Sequence, residues 1–257
     1  MGPATIADMT TTPALPEACL AWCSTRSYEY DVLGDLAEID LDWWNSRLTS
    51  ARIPVRVRAR GLDGDVVETG TGFLRRGDLQ TIGSGCDLTT VYHCAAWLVG
   101  HRDRDRARRF PDARDLEEPA GDRRLHGVRQ ALDECRRAPA LIDVGPHRDW
   151  SGWPRATGFG RVPMSLYVWA IGSENMLHRP QLLDQQALSE LVHLGWVDNP
   201  SVSAMTVRRY LDYCEVLDEW ARLGRVRPEL VEMWLVRSWR IRRETPSPFL
   251  DEFRDAL

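Results

Sequence analysis

Residues 158–194 combine two features suited to phosphate binding and to acid–base chemistry. The first is a tight turn, Gly158-Phe159-Gly160, in which glycine permits positive backbone dihedrals and lets successive N–H groups point one way. Such a turn can hold a phosphate, and an ordinary turn before a helix has the same sequence. The second is Asp184, which opens a helix after an apolar helix and a loop. Aspartate at that position is commonly a cap, and it is also a carboxylate suited to proton transfer.

The chain contains no lysine, so all 33 residues counted as lysine or arginine are arginine. Lysine is ordinarily among the commonest residues. Its absence has two interpretations, compositional drift in a GC-rich genome or selection against a reactive amine. Under either one, no lysine can form a Schiff base, attack as a nucleophile or bind phosphates as a P-loop lysine does.

Composition is that of a chain with a sizeable core and an ordinary charged surface. Of its 257 residues 43% are apolar and 28% charged, which suits one large domain or a domain with a smaller appendage. The net charge of -5 argues against a general nucleic-acid coat but allows a local basic groove. Residues 1–18 lack the pattern of a secretory signal, and no apolar run approaches the ~18 residues of a membrane span. We therefore expect a cytoplasmic protein with no membrane partner.

The six cysteines are scattered, and only Cys19 and Cys23 lie near each other in the sequence. No second cysteine or histidine pair completes a zinc or iron–sulfur set. We therefore expect reduced structural thiols, with no metal and no cofactor.

The elements that hold these residues are mostly helical. Residues 55–72 alternate apolar and charged side chains around Asp63-Gly64, which predicts a β-hairpin. Helical patterns cover residues 40–48, 91–99 after a cap region at 87–90, 125–137, 164–171, 185–194, 206–223 and 228–242. We expect a mainly α fold with a small N-terminal β-hairpin. Its expected parts are a flexible arm (1–18), a helix and β-hairpin region (19–72) and a helical domain (73–257).

The order of glycine turn, helix, loop and helix-opening aspartate resembles the helix-hairpin-helix superfamily of DNA glycosylases, in particular its bacterial branch with the 8-oxoguanine-DNA-glycosylase fold. Gly158 and Gly160 match the superfamily's hairpin, and residues 180–184 (PQLLD) match the approach to its catalytic aspartate. Residues 77–109 look like the branch's N-terminal helix pair. Residues 210–236 look like its closing helices, with matching positions at Tyr210, Tyr213, Trp220, Ala221 and Glu232. The resemblance covers roughly residues 73–240.

The chain departs from the family at the nucleophilic lysine that bifunctional members carry. The alignment places Ser165 there, and a shift of one or two residues would place Pro163, Met164, Leu166 or Tyr167, none of which is an amine. Monofunctional members also lack this lysine, and one adenine-removing group carries serine. The resemblance therefore implies base removal without strand cleavage by β-elimination, with Asp184 and Ser165 as the catalytic candidates.

The resemblance further implies DNA as the partner, with a damaged or modified base held out of the stack. Gly158, Gly160 and Arg161 are then the candidates for binding the DNA backbone. The candidates for the base pocket are Trp97, Phe159 and Trp169, with Trp150 and Trp153 nearby; each is equally suited to the core. The basic run at Arg102, Arg104, Arg106, Arg108 and Arg109 would meet phosphates or form a solvated loop with Asp103 and Asp105. His178 is a lone histidine near Asp184.

Three functions stay open at this point. The first is a monofunctional DNA glycosylase that uses Asp184 to stabilise an oxocarbenium-like state and to activate water, acting on damaged bases or on foreign DNA with modified bases. The second is a catalytically silent nucleic-acid-binding or interaction protein that retains the fold. The third is a fold reused for nucleoside or small-molecule chemistry. The position of Asp184, in an open aromatic pocket or as a mere helix cap, discriminates the first from the second.

Overall fold

A computed structural model describes residues 12–104, 110–115, 125–137, 149, 151–172, 179–196 and 201–244. Over these residues the chain is mainly helical with one small antiparallel sheet, which confirms the predicted fold class. The α-helices of the described part are α1 (Glu17–Cys23), α2 (Leu41–Ser50), α3 (Arg76–Gly83), α4 (Asp87–Gly100), α5 (His126–Arg137), α6 (Arg161–Ala170), α7 (Gln185–His193), α8 (Val207–Gly224) and α9 (Pro228–Glu244). The predicted helices agree with α2 and with α4 to α9 to within about one turn at each end.

Four short strands form the sheet. They are β1 (Leu36–Asp40), β2 (Ala59–Arg60), β3 (Val66–Val67) and β4 (Thr71–Arg75), in the order β1-β4-β2-β3. The predicted hairpin is confirmed as the antiparallel β2 and β3 pair, with Gly64 at a positive φ of 89° between them. The sequence does not predict β1 and β4, which pair from Leu36 opposite Arg75 to Asp40 opposite Thr71, because that pairing joins distant segments.

Polar side chains shape the chain around α2. Asp40 caps this helix, since its carboxylate accepts the Trp43 N–H at 2.9 Å. Asn45 brackets Val57, donating to its carbonyl at 3.0 Å and accepting its N–H at 2.9 Å. The Asn45 amide thus takes the place of a neighbouring strand, and residues 55–58 keep the predicted alternation of burial outside the sheet.

One hydrophobic core joins parts of the chain that the sequence assigns to separate regions. It contains Ile39 from before residue 72 and both Trp97 and Leu235 from after it. The expected boundary at residue 72 is therefore not a gap in the packing.

The expected arm is described from residue 12 onward. Its last residues lie in α1, and the Pro13 carbonyl accepts the indole N–H of Trp220 at 2.8 Å. This part of the arm is therefore attached to α8.

The six cysteines, all within the described residues, form no disulfide; five are buried and Cys86 is exposed. The Sγ atoms of Cys19 and Cys23 lie 3.9 Å apart in α1. Within the described ranges, no helix is both long enough and apolar enough to cross a bilayer.

Candidate active site

A cavity of about 650 Å³ lies at the amino end of α6, between that helix and parts of α4 and α7. Its wall contains the predicted glycine turn, the aromatic side chains of Trp153 and Phe159, and Asp184 at the start of α7. Cavities of roughly 300–1,000 Å³ with a mostly apolar wall and a few polar groups are typical of ligand sites. The volume is ample for one nucleobase with its sugar.

The two glycines of the turn differ in whether the backbone requires glycine at their position. Gly158 has φ +98°, and a Cβ there would lie 2.5 Å from the Asp112 carbonyl oxygen, so the turn requires glycine. Gly160 precedes α6 at an ordinary φ of -79°, and a Cβ there would meet open space. No side chain of the described residues caps α6. The amino end of α6 is therefore open toward the cavity, and helix amino ends attract anions.

Arg161, the first residue of α6, lines the cavity. Its guanidinium donates to the Val202 carbonyl and to the Ser151 hydroxyl, both at 3.3 Å. Both acceptors are neutral, and no carboxylate of the described residues forms an ion pair with Arg161. The charge of Arg161 thus remains available to an anion at this helix end.

Asp184 unites the two interpretations that the sequence left open. It caps α7, with Oδ1 accepting the Gln186 N–H at 2.8 Å. Its Oδ2 accepts from Arg104 Nη1 at 3.2 Å. The residue is 1% exposed and borders the cavity beside Phe159. Asp184 is therefore both a helix cap and an acidic group of an aromatic cavity.

Arg104 is held from its other side by Glu232 of α9. Nη2 of Arg104 lies 3.0 Å from Oε2 of Glu232, and Nη1 contacts Oε1. Arg76, at the start of α3, donates to the same Oε2 at 3.2 Å and stacks over the Trp169 ring at 4.5 Å. The four charged side chains are at most 2% exposed. We call this set, Arg76, Glu232, Arg104 and Asp184, the buried ion-pair chain.

Asp35 also faces the buried ion-pair chain. Its Oδ1 lies 2.7 Å from His101 Nε2. Burial favours the neutral acid, but the His101 contact and the two nearby arginines outweigh burial and hold the pKa of Asp35 below its usual range. Burial opposes the charge of Arg104 as well, yet the carboxylates that it binds raise the pKa of Arg104 above its ordinary value. Arg104 is therefore a permanent cation.

Ser165 lies inside α6 and is completely buried. Its hydroxyl donates to the Val162 carbonyl at 2.7 Å and accepts the Leu183 N–H at 2.8 Å. It is not part of the cavity wall. The structure places Ser165 behind that wall, where it ties α6 to the residue that precedes Asp184.

The aromatic candidates fall into two groups. Phe159 lines the cavity and packs edge-on against Tyr92, with ring centroids 5.1 Å apart. Trp153 lines it as well, and its indole N–H donates to the Met205 carbonyl at 2.9 Å. Trp97 and Trp169 lie in the core and contribute nothing to this cavity, because their apolar helices turn them inward.

The basic run after α4 also divides. Arg102 is exposed, whereas Arg104 is 2% exposed within the buried ion-pair chain and does not present its charge to phosphates. Outside the described residues lie Arg106, Arg108, Arg109, Trp150 and His178. Among the described residues, no group of three or more His, Cys, Asp or Glu side chains is arranged to hold a metal ion.

Sequence reasoning missed the roles of Arg76, Arg104 and Glu232. Their contacts join residues 128 and 156 positions apart, beyond any local pattern. One signal was present: Glu229 and Glu232 stand among the apolar residues that form the buried side of α9, and a buried charge is rarely found without a partner.

A comparison of the sequence with protein-family models gives a match that spans the site. The family model described as "Putative 8-oxoguanine DNA glycosylase OGG-like protein" matches residues 31–236, a span that contains the cavity wall and the whole buried ion-pair chain. No curated protein and no solved structure matches the chain. The family match extends over well more than half of the sequence, from before β1 to within α9, and so the chain belongs to the OGG-like family of DNA glycosylases.

Proposed function

We propose that the protein is a DNA glycosylase that releases a damaged or modified base by hydrolysis and does not cut the strand. The observation that carries the proposal is Asp184, whose carboxylate borders an apolar and aromatic cavity next to the glycine turn. Family membership supports the reaction class. The lack of lysine supports a monofunctional reaction, because strand cleavage by β-elimination needs an amine for the Schiff base. Foreign DNA that carries modified bases is one source of substrate.

The proposed reaction breaks the C1′–N bond and forms a C1′–O bond with water, while a proton from that water passes to the departing base. The sugar acquires oxocarbenium character on the way, and a nearby carboxylate stabilises this charge. Asp184 suits that role, since Gln186 N–H and Arg104 hold both of its oxygens as acceptors. The same carboxylate orients the attacking water.

The surroundings of Asp184 suit a nucleotide taken out of the stack. Phe159 and Trp153 offer flat apolar surfaces to the base. Gly160, which lacks a side chain, and Arg161 at the amino end of α6 offer N–H groups and a positive charge to a phosphate. Ser165 has a positioning role in this proposal, behind the wall that Asp184 occupies.

The test is release of free base from duplexes and single strands that carry a panel of damaged and modified bases, measured by chromatography and mass spectrometry. We expect release from at least one substrate. Asp184→Asn should reduce it at least ~100-fold, because the amide keeps the cap of α7 and loses the charge. Asp133→Asn, on the exposed surface of α5, is the matched control and should keep the wild-type rate. Full activity of Asp184→Asn would refute the assignment.

Borohydride added during the reaction tests the one-step mechanism. We expect no trapped protein–DNA adduct from any substrate, since the chain has no lysine. A trapped adduct would leave only the N-terminal amine as its source and would overturn this mechanism.

One observation favours a second candidate, a nucleic-acid-binding protein that has lost the reaction. Both oxygens of Asp184 already accept hydrogen bonds from the protein. A silent protein would bind the same oligonucleotides without releasing any base, and Asp184→Asn would bind them as the wild type does.

A further inference from the structure

We infer, on the basis of the proposed function, that Arg104 is the positioning residue of Asp184, and that Glu232 offsets the charge of Arg104 so that the negative charge of Asp184 acts on the reacting sugar. The buried ion-pair chain connects α3, α9 and the residues after α4 to the cavity wall. Asp184 is the member of this chain that lines the cavity.

The geometry fixes the direction of the Asp184 carboxylate. Glu232 binds two nitrogens of the Arg104 guanidinium, and this two-point contact sets the plane of the group. Nη1 then reaches Oδ2 of Asp184 at 3.2 Å from a single direction, while the Gln186 N–H holds Oδ1 at 2.8 Å. With both oxygens held from different sides, rotation of the carboxylate is restricted.

The charges around Asp184 explain why a second carboxylate is needed. An arginine without a second carboxylate would keep Asp184 ionised, but its positive charge would cancel the attraction between Asp184 and the positive charge that develops on the sugar. Among the described residues, the titratable and charged groups around Asp184 include Arg104, Glu232, Arg76, Asp35, His101 and Tyr213. Burial raises the pKa of Tyr213 well above its ordinary value, with a further contribution from Glu232, so this phenol is neutral. Two arginines, Arg76 and Arg104, face three carboxylates, those of Asp184, Glu232 and Asp35.

Stability alone does not account for four buried charges. Buried ion pairs are often replaceable by apolar side chains of similar volume without loss of stability. Clusters of charges that perturb one another are instead common where catalysis requires a group in a defined state. The buried ion-pair chain lies directly behind the cavity wall, and this position fits a role in catalysis.

The experiment compares three variants with the wild type: Arg104→Gln, Arg104→Lys and Arg76→Gln. Arg76→Gln is the matched control, because it breaks an equally buried contact with Glu232 and leaves the Asp184 contact in place. Single-turnover base release is measured across pH, together with the DNA dissociation constant and the near-ultraviolet circular dichroism of the tryptophans.

Arg104→Gln should slow base release by about 10- to 100-fold at neutral pH. The acid limb of its pH profile should move to higher pH, because Glu232 and Asp184 then face each other as like charges and take up a proton. Its DNA affinity should stay within about twofold of the wild type, since Arg104 is 2% exposed. Arg76→Gln should move the acid limb by less, because it leaves the Arg104 contact with Asp184 in place, and Arg104→Lys should restore the wild-type acid limb.

Equal effects of Arg104→Gln and Arg76→Gln on rate and acid limb would reduce Arg104 to a structural residue and overturn the inference. If Arg104→Gln does not fold, Arg104→Lys decides: it keeps the charge but loses the forked contact, so the acid limb should stay and the rate should fall. A wild-type rate in that variant would overturn the positioning role. An unchanged Arg104→Gln beside an active wild type contradicts this inference alone, whereas an inactive wild type contradicts the proposed function and this inference together.

Discussion

At the scale of single residues, the cap that Asp184 forms on α7 is compatible with the catalytic role proposed for its carboxylate. The cap uses Oδ1 only, through the Gln186 N–H. That bond orients the carboxylate relative to α7 and leaves Oδ2 to Arg104. An aspartate that caps a helix next to a cavity is therefore better oriented than an aspartate that caps no helix, because a backbone N–H of the helix fixes one of its oxygens.

Ser165→Ala separates a chemical role of this hydroxyl from a positioning role. The hydroxyl accepts the buried Leu183 N–H at 2.8 Å, and alanine would leave that donor unpaired. The free energy of unfolding should fall by about 1–3 kcal/mol, while base release should stay within a few-fold of the wild type. Urea unfolding followed by tryptophan fluorescence, with the base-release assay, measures both quantities.

Ser189→Ala is the control for Ser165→Ala, because the Ser189 hydroxyl bonds Gln185 of its own helix, donating to the carbonyl at 2.8 Å and accepting from the side-chain amide at 3.3 Å. Its effect on unfolding should be small. Loss of base release in Ser165→Ala without loss of stability would instead give Ser165 a direct role in the reaction.

At the scale of elements, local signals explain what the sequence predicts. α2 and α8 begin where Asp40 and Thr206 cap them, and α9 begins at Pro228, a residue favoured in the first turn. The pairing of β1 with β4 has no such signal, since both strands are short and far apart in sequence. Hydrophobic periodicity likewise indicates that the helix of Trp169 is apolar, but not which of its sides faces a cavity.

The glycine turn before α6 gives an element-scale prediction. Gly158→Ala should lower the free energy of unfolding by about 2–3 kcal/mol, because φ is +98° and the new Cβ would meet the Asp112 carbonyl. Gly160→Ala should cost less than about 1 kcal/mol, since its φ is ordinary and its Cβ would face open space. Thermal unfolding checks both values.

The same pair tests whether DNA approaches the turn. Gly160→Ala, although well folded, should weaken binding of a substrate duplex, because the new methyl group occupies the space in front of the amino end of α6. Wild-type affinity in Gly160→Ala would place the DNA backbone elsewhere on the surface.

At the scale of the whole molecule, the site is formed by residues that lie far apart in the sequence, all of them within the matched residues 31–236. The glycine turn, Asp184, Phe159 and Arg161 meet at one cavity, as the sequence order led us to expect. The support behind them comes from Arg76 and Glu232, which are 156 positions apart in the sequence. Such contacts depend on how the helices pack around the common core, and no local pattern specifies that packing.

The net charge of -5 means that DNA binding must depend on a local surface, and Arg161 is the arginine of the cavity wall. The logarithm of the association constant should fall linearly with the logarithm of salt concentration, with a slope of about -0.9 for each phosphate neutralised. Arg161→Gln should reduce the size of this slope by about 1, because its guanidinium has only neutral partners among the described residues and is free to meet a phosphate.

Arg137→Gln is the control, because Arg137 is exposed and paired with Asp133 on α5, and it should leave the slope unchanged. Fluorescence anisotropy with a labelled duplex measures the slope between about 50 and 200 mM salt. Over this range, six to ten phosphate contacts change the affinity by roughly 10³- to 10⁵-fold. Equal slopes for Arg161→Gln and the wild type would remove Arg161, and with it the amino end of α6, from the DNA-binding surface.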